Sequence, residues 1–185
     1  MGTSMMKYAW ALGAAAALST LLAACGTSDI SRSVFEPTAE DTTVVTNALE
    51  AKNEVLSLYR AMQELLGGDW IDRMRDWGPC SLSDGREGVS YAFYSRRIGQ
   101  SLPADPGTVA EEAQAIWARF GYSVEIEHDD VVAPPRLILS DPPLLAGTKR
   151  NGLLVQFSVG QNYADFSARS RCVLGDAEKL NRLEE

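Results

Sequence analysis

Apolar residues fall along this chain in three patterns. Residues 8–22 form one long, largely apolar and alanine-rich run. Residues 41–66 repeat apolar side chains at helical spacing. Val45, Ala48, Leu49, Val55, Leu56, Tyr59, Met62 and Leu66 fall on one face, with Glu50, Asn53, Glu54, Ser57 and Arg60 opposite. Thr38 or Asp41 can cap the start of this helix, and Gly67-Gly68 stops it. A single apolar stripe is what a core-packing helix needs. The third pattern is alternation: Val89, Tyr91 and Phe93 against Ser90, Ala92 and Tyr94, then Tyr122, Val124, Ile126 and His128 against Ser123, Glu125, Glu127 and Asp129. Period two predicts half-buried strands at 88–98 and 122–129.

A second helix is expected at about 108–120, with Thr108 and Glu111 as a capping box, Val109, Ala113, Ile116, Trp117 and Phe120 buried, and Gly121 ending it. Residues 136–140, 151–159 and 163–174 are further strands, with Gly160-Gln161-Asn162 as a hairpin turn between the last two. Residues 69–79 resist assignment: Trp70, Met74 and Trp77 suit a strand, but Asp72 and Asp76 interrupt the alternation. Residues 176–185 are polar, a short helix or tail. The order of elements predicts an α+β domain, two helices packed on one face of a largely antiparallel sheet of about five strands.

The long N-terminal run has a different meaning. Lys7 precedes it, and Leu22-Ala23-Ala24-Cys25 follows it, with Gly26-Thr27-Ser28 next. A charged start, an apolar stretch and small residues before a cysteine make a lipobox signal peptide. Cleavage after Ala24 would leave Cys25 as the lipidated first residue. The rival reading is a retained membrane span, but residues 8–24 number 17, at the lower limit for crossing the hydrocarbon core, and many are alanine. The expected organisation is a signal peptide at 1–24, a flexible tether rich in Ser, Thr, Asp and Glu at 25–40, and a single domain at 41–185. The tether's r.m.s. span would be roughly 20 Å.

Removal of residues 1–24 takes Lys7 away and leaves 16 basic against 25 acidic residues, a net charge of −9. Such a domain is repelled by nucleic-acid phosphates and anionic lipid heads, so nucleic acid is excluded as a partner and the membrane link rests on the anchor. The chain has three cysteines. With Cys25 lipidated, Cys80 and Cys172 remain as an even pair in an oxidising compartment, where a disulfide is expected over two free thiols. It would close a loop of about 93 residues and, in the chain-entropy model, stabilise by about 4.5 kcal/mol.

Candidate chemistry is sparse. Glu125, Glu127, Asp129 and Asp130 surround His128, but calcium loops bend around the ion, and these acids lie on an extended strand that alternation explains as a solvated face. His128, alone of its kind, cannot form a multi-histidine zinc site. The pairs Arg96-Arg97 and Lys149-Arg150 could meet an anionic polymer or simply end strands. No P-loop, G-x-S-x-G, C-x-x-C or H-E-x-x-H motif is present. No metal, cofactor or enzyme activity is therefore expected.

The lipobox, the long first helix, Trp70 with Cys80 after it, Ala110-Glu111-Glu112-Ala113 leading to Phe120-Gly121, and a closing Asn151-Gly152 strand pair carrying Cys172 together resemble the LppA-like lipoproteins of Gram-positive bacteria with mycolate-type envelopes. The resemblance implies an envelope lipoprotein with no established activity, and it carries over no catalytic residue.

The function expected is that of a non-enzymatic lipoprotein on the extracytoplasmic face of the cell membrane, binding an envelope protein or organising other envelope components. The alternative is a carrier or sensor of a small apolar or glycan ligand in a pocket between sheet and helices. Trp70 and Trp77 are the candidate partner contacts, because the irregular pattern at 69–79 leaves no single face to bury both.

Overall fold

The computed structural model describes residues 39–99 and 101–184. The expected signal peptide, Cys25 and nearly all of the tether lie outside them, as does the proposed cap Thr38. Among the described residues no helix is long and apolar enough to cross a membrane.

The fold is α+β, with three helices and six antiparallel strands among the described residues. The elements run α1 (Ala39–Leu66), β1 (Trp70–Ser81), β2 (Glu87–Arg97), α2 (Pro106–Arg119), β3 (Ile126–Asp129), β4 (Arg136–Asp141), β5 (Leu154–Gly160), β6 (Tyr163–Arg169) and α3 (Ala177–Arg182). The sheet order is β1-β2-β6-β5-β4-β3. After the β1–β2 hairpin, α2 carries the chain to the far edge. The meander from β3 to β6 then returns, so the last strand seats beside β2.

Register decides which side chains meet the helices. Phe93 opposes Ala168, Ser95 opposes Phe166, Phe157 opposes Phe166 and Leu139 opposes Phe157, so these residues share one face. Upon it lie Ala48, Ala51, Val55, Leu58, Tyr59 and Met62 from α1 and Val109, Ala113 and Trp117 from α2. Each large apolar side chain buried there contributes about 1.5–3 kcal/mol relative to exposure. Tyr59 sits at the centre, its ring 4.6 Å from Phe93 and 5.5 Å from Phe166. Aromatic rings thus fill the space between sheet and helices where an apolar cargo would have to lie. The opposite face carries Ser140, Ser158 and Gln156, together with Arg96, which donates to Asp165 through Nε at 2.5 Å and Nη2 at 3.0 Å.

Several sequence expectations need correction. The buried stripe of α1 includes Ala51 and Leu58, whereas Leu49 is 44% exposed. The cap of α2 is Asp105 rather than Thr108: its Oδ1 accepts from Gly107 N at 3.0 Å and Thr108 N at 3.1 Å, and Pro106 opens the helix without needing a partner for an N–H. Phe120 leaves the buried stripe and is 45% exposed. The strand expected from residue 122 begins at Ile126, because residues 121–122 close α2.

Residues 69–79, unassigned by pattern, belong to the edge strand β1. Its register shifts between Asp72 and Met74. The extra residue in this β-bulge inverts the alternation, so Trp70 (opposite Arg97) and Trp77 (opposite Tyr91) reach the helix face despite an odd separation. α3 lies against β1, and Asn181 completes the edge: its Oδ1 accepts from Trp77 N at 2.8 Å and its Nδ2 donates to Trp77 O at 3.0 Å. One side-chain amide thus stands in for a neighbouring strand at that position.

Candidate binding cleft

A cleft of about 650 Å³ opens between α1, the end of α2 and the segment leading into β5. One wall is the polar row Glu50, Asn53, Glu54 and Ser57, placed on one side of α1 by helical spacing. This is the face that periodicity set opposite the core. The facing wall is Phe120, Gly121 and Tyr122, with Lys149, Asn151 and Leu153 completing it.

Local chain geometry places each part of the second wall. Gly121 has φ +85°, and its N–H donates to Ala118 O at 3.0 Å while Tyr122 N donates to Trp117 O at 3.0 Å. This is a Schellman closure, which needs a residue in the left-handed region that glycine adopts without strain. It swings Tyr122 back against Trp117, with ring centroids 5.8 Å apart, and leaves Phe120 projecting. The Tyr122 hydroxyl oxygen is buried beside the Glu54 carboxylate. Burial pushes its pKa up to about 12, and the charges of Glu54 and Asp141 add to the rise.

The 149–153 turn is closed by Gly152 N donating to Lys149 O at 2.8 Å and by Lys149 N donating to Leu153 O at 2.8 Å. It is fastened by Cys172 N, which donates to Asn151 O at 2.7 Å. Cys172 is joined to Cys80 by a disulfide with a Cα–Cα distance of 6.0 Å. The bridge therefore ties the edge strand β1 to the segment that supports one wall of the cleft.

Charges along the cleft are paired, with one guanidinium shared between two carboxylates. Arg171 Nη2 lies 3.8 Å from Glu50 Oε2, and its Nε lies 3.4 Å from Glu54 Oε2. Lys149 Nζ donates to Asp141 at 2.5 Å and stands 5.8 Å from the Tyr122 ring centroid.

The candidate residues from sequence fare differently. Trp77 is only 3% exposed and packs on Tyr91 at 5.2 Å, so it is unavailable to a partner. Trp70 is half-buried, meets Tyr59 edge-on at 5.4 Å and donates to Gly67 O at 3.2 Å, which makes it part of the fold. The exposed apolar residues of β1 are instead Ile71 and Met74. The acids near His128 are engaged locally: Glu127 accepts from Leu144 N at 2.9 Å and Asp129 from Arg136 Nε at 2.8 Å, while His128 is exposed. Of the basic pairs, Arg97 is buried and donates to Gly67 O and Ser101 O, both at 3.0 Å. Sequence reasoning missed the cleft because its two walls are some 65 residues apart in the chain. Its one legible signal was the polar row on α1.

No family model and no curated protein matches the chain. Among solved structures, a DUF4853 family protein from Actinomyces odontolyticus ATCC 17982 is similar at 14% identity and a TM-score of 0.39 over 68% of this chain; the chain spans 64% of that protein's length.

Proposed function

We propose that this chain is a non-enzymatic cell-envelope lipoprotein, anchored through Cys25 to the extracytoplasmic face of the membrane, whose domain binds other envelope components at the α1–Phe120 cleft. The observation that carries this reading is an open cleft, part aromatic and part hydrogen-bonding, on a domain whose sheet and helices are packed together by aromatic and aliphatic side chains. Sites that bind ligands combine apolar surface with a few directed polar groups in this way. The lipobox, the Cys80–Cys172 bridge and the likeness to LppA-like lipoproteins support the location.

The test is Cys25→Ala. Two acyl chains suffice for stable attachment where one is marginal. The variant should lose both the lipid mass and its partition into the detergent phase. A variant that fractionates like the parent at unchanged lipid content would overturn the anchor. Photocrosslinking from position 120 in cells should capture an envelope component; capture from an exposed position far from the cleft, such as 131, with none from 120, would overturn the cleft as the contact site.

A further inference from the structure

We propose that the cleft takes a neutral, N-acetylated glycan segment, an inference that rests on reading the domain as an envelope-binding module and names what the cleft binds. Three observations point to this class of ligand.

The first is charge. Glu50 and Glu54 face Arg171, and Lys149 is held by Asp141. An anion entering the cleft finds no uncommitted cation, because Glu50, Glu54 and Asp141 outnumber Arg171 and Lys149. A phosphate or carboxylate would therefore sit in a field of its own sign. The carbonyl end of α2, which reaches the cleft at Phe120, adds partial negative charge that further opposes phosphates and carboxylates. A neutral ligand rich in O–H and N–H donors meets no such penalty.

The second is the division of labour between the walls. Positions 50, 53, 54 and 57 set carboxylates, an amide and a hydroxyl in a row about 10 Å long. Phe120 and Tyr122 face them with aromatic surface. A pyranose ring has the same division: hydroxyls around its rim and C–H groups on its faces. The faces can lie on Phe120 while the rim bonds to the α1 row. Aromatic side chains supply large contact area at small entropic cost, which is why they anchor such sites.

The third is exposed apolar surface beside directional amides. Phe120 is 45% exposed at the cleft, with Asn151 and Asn53 also lining it. An acetamido group presents a methyl, an N–H and a C=O together. The methyl suits Phe120, the N–H suits a Glu54 or Asn carbonyl oxygen, and the C=O suits an Asn N–H. A plain hexose lacks the methyl and would forgo that contact.

The experiment uses the full chain in detergent and chitotriose, three linked N-acetylglucosamine units, as probe. Isothermal titration should give a saturable Kd of about 1 mM or tighter. Cellotriose, which lacks the acetamido groups, should bind at least about tenfold more weakly. Phe120→Ala and Asn53→Ala should each weaken chitotriose binding about tenfold. Both positions are exposed, so the melting temperature should hold and loss of affinity cannot be attributed to unfolding. No saturation at about 10 mM chitotriose, equal affinity for cellotriose, or chitotriose binding indifferent to Phe120→Ala would each overturn the inference. Crosslinking from position 120 to a protein, with no chitotriose binding, would overturn the glycan and leave the envelope-binding reading standing; loss of both would remove the cleft as a site altogether.

Discussion

Breaking the Cys80–Cys172 bridge should lower the melting temperature more than almost any single surface change in this domain. The bridge joins residues 92 apart in sequence. Closing a loop of that size in the unfolded chain removes entropy worth about 4.5 kcal/mol at 25 °C in the chain-entropy model. A domain of this size has a total stability of roughly 5–15 kcal/mol, and 1 kcal/mol shifts its midpoint by about 2–4 °C. Cys80→Ser, Cys172→Ser and the double variant should therefore each melt roughly 10–18 °C below the parent, read by calorimetry or far-UV ellipticity. The double variant should be no worse than either single one, since the cross-link is lost at the first substitution. Reducing agent should bring the parent to the same value and leave the variants where they are. Because Cys172 N holds Asn151 O at 2.7 Å, the variants should also loosen the 149–153 turn, seen as faster amide exchange there than in β5. A melting shift under about 3 °C, or a double variant far less stable than both singles, would refute the reasoning.

Two further outcomes follow from the fold. Asn181→Ala removes both hydrogen bonds to the Trp77 backbone, which should cost about 1–3 kcal/mol and expose the edge of β1, so light scattering should detect concentration-dependent association; a variant that stays monomeric with unchanged melting would show that the amide does not guard the edge. Burial pushes Tyr59, Tyr91 and Tyr122 each up to about 12, above the value near 10 of an unfolded chain, so the folded state keeps protons that the unfolded state releases. Stability should therefore be steady below about pH 10 and fall as pH rises from 10 through 12, with phenolate absorbance at 295 nm rising together with loss of ellipticity; ionisation of every tyrosine near pH 10 with the fold intact would contradict this.

What the sequence determined by itself is local. Helical spacing in α1 and α2 and strict alternation in β2 each report a pattern that one buried face imposes on its own segment, and the α+β class follows from their order. Gly121 and the turn at 161–162 were legible for the same reason, since the backbone conformation they allow belongs to a few adjacent residues. The cysteine pairing was legible because, with Cys25 set aside as the expected lipid site, two cysteines remain and allow one intrachain bridge.

Tertiary structure decided the rest. The bulge between Asp72 and Met74 inverts parity within β1, so Trp70 and Trp77 share a face that no single alternation could assign, and the apparent surplus of exposed tryptophan disappears into the core. Phe120 fits the apolar stripe of α2, yet it is the cap residue where that helix ends, and only the packing of α2 among the described residues leaves it 45% exposed. The cleft follows from the same cause. Its polar row lies on α1 and its aromatic wall follows α2, and they face each other because α2 crosses to the far strands while β6 returns beside β2. Periodicity records whether a residue is buried within its own element; it holds no information about which distant surface that element will meet.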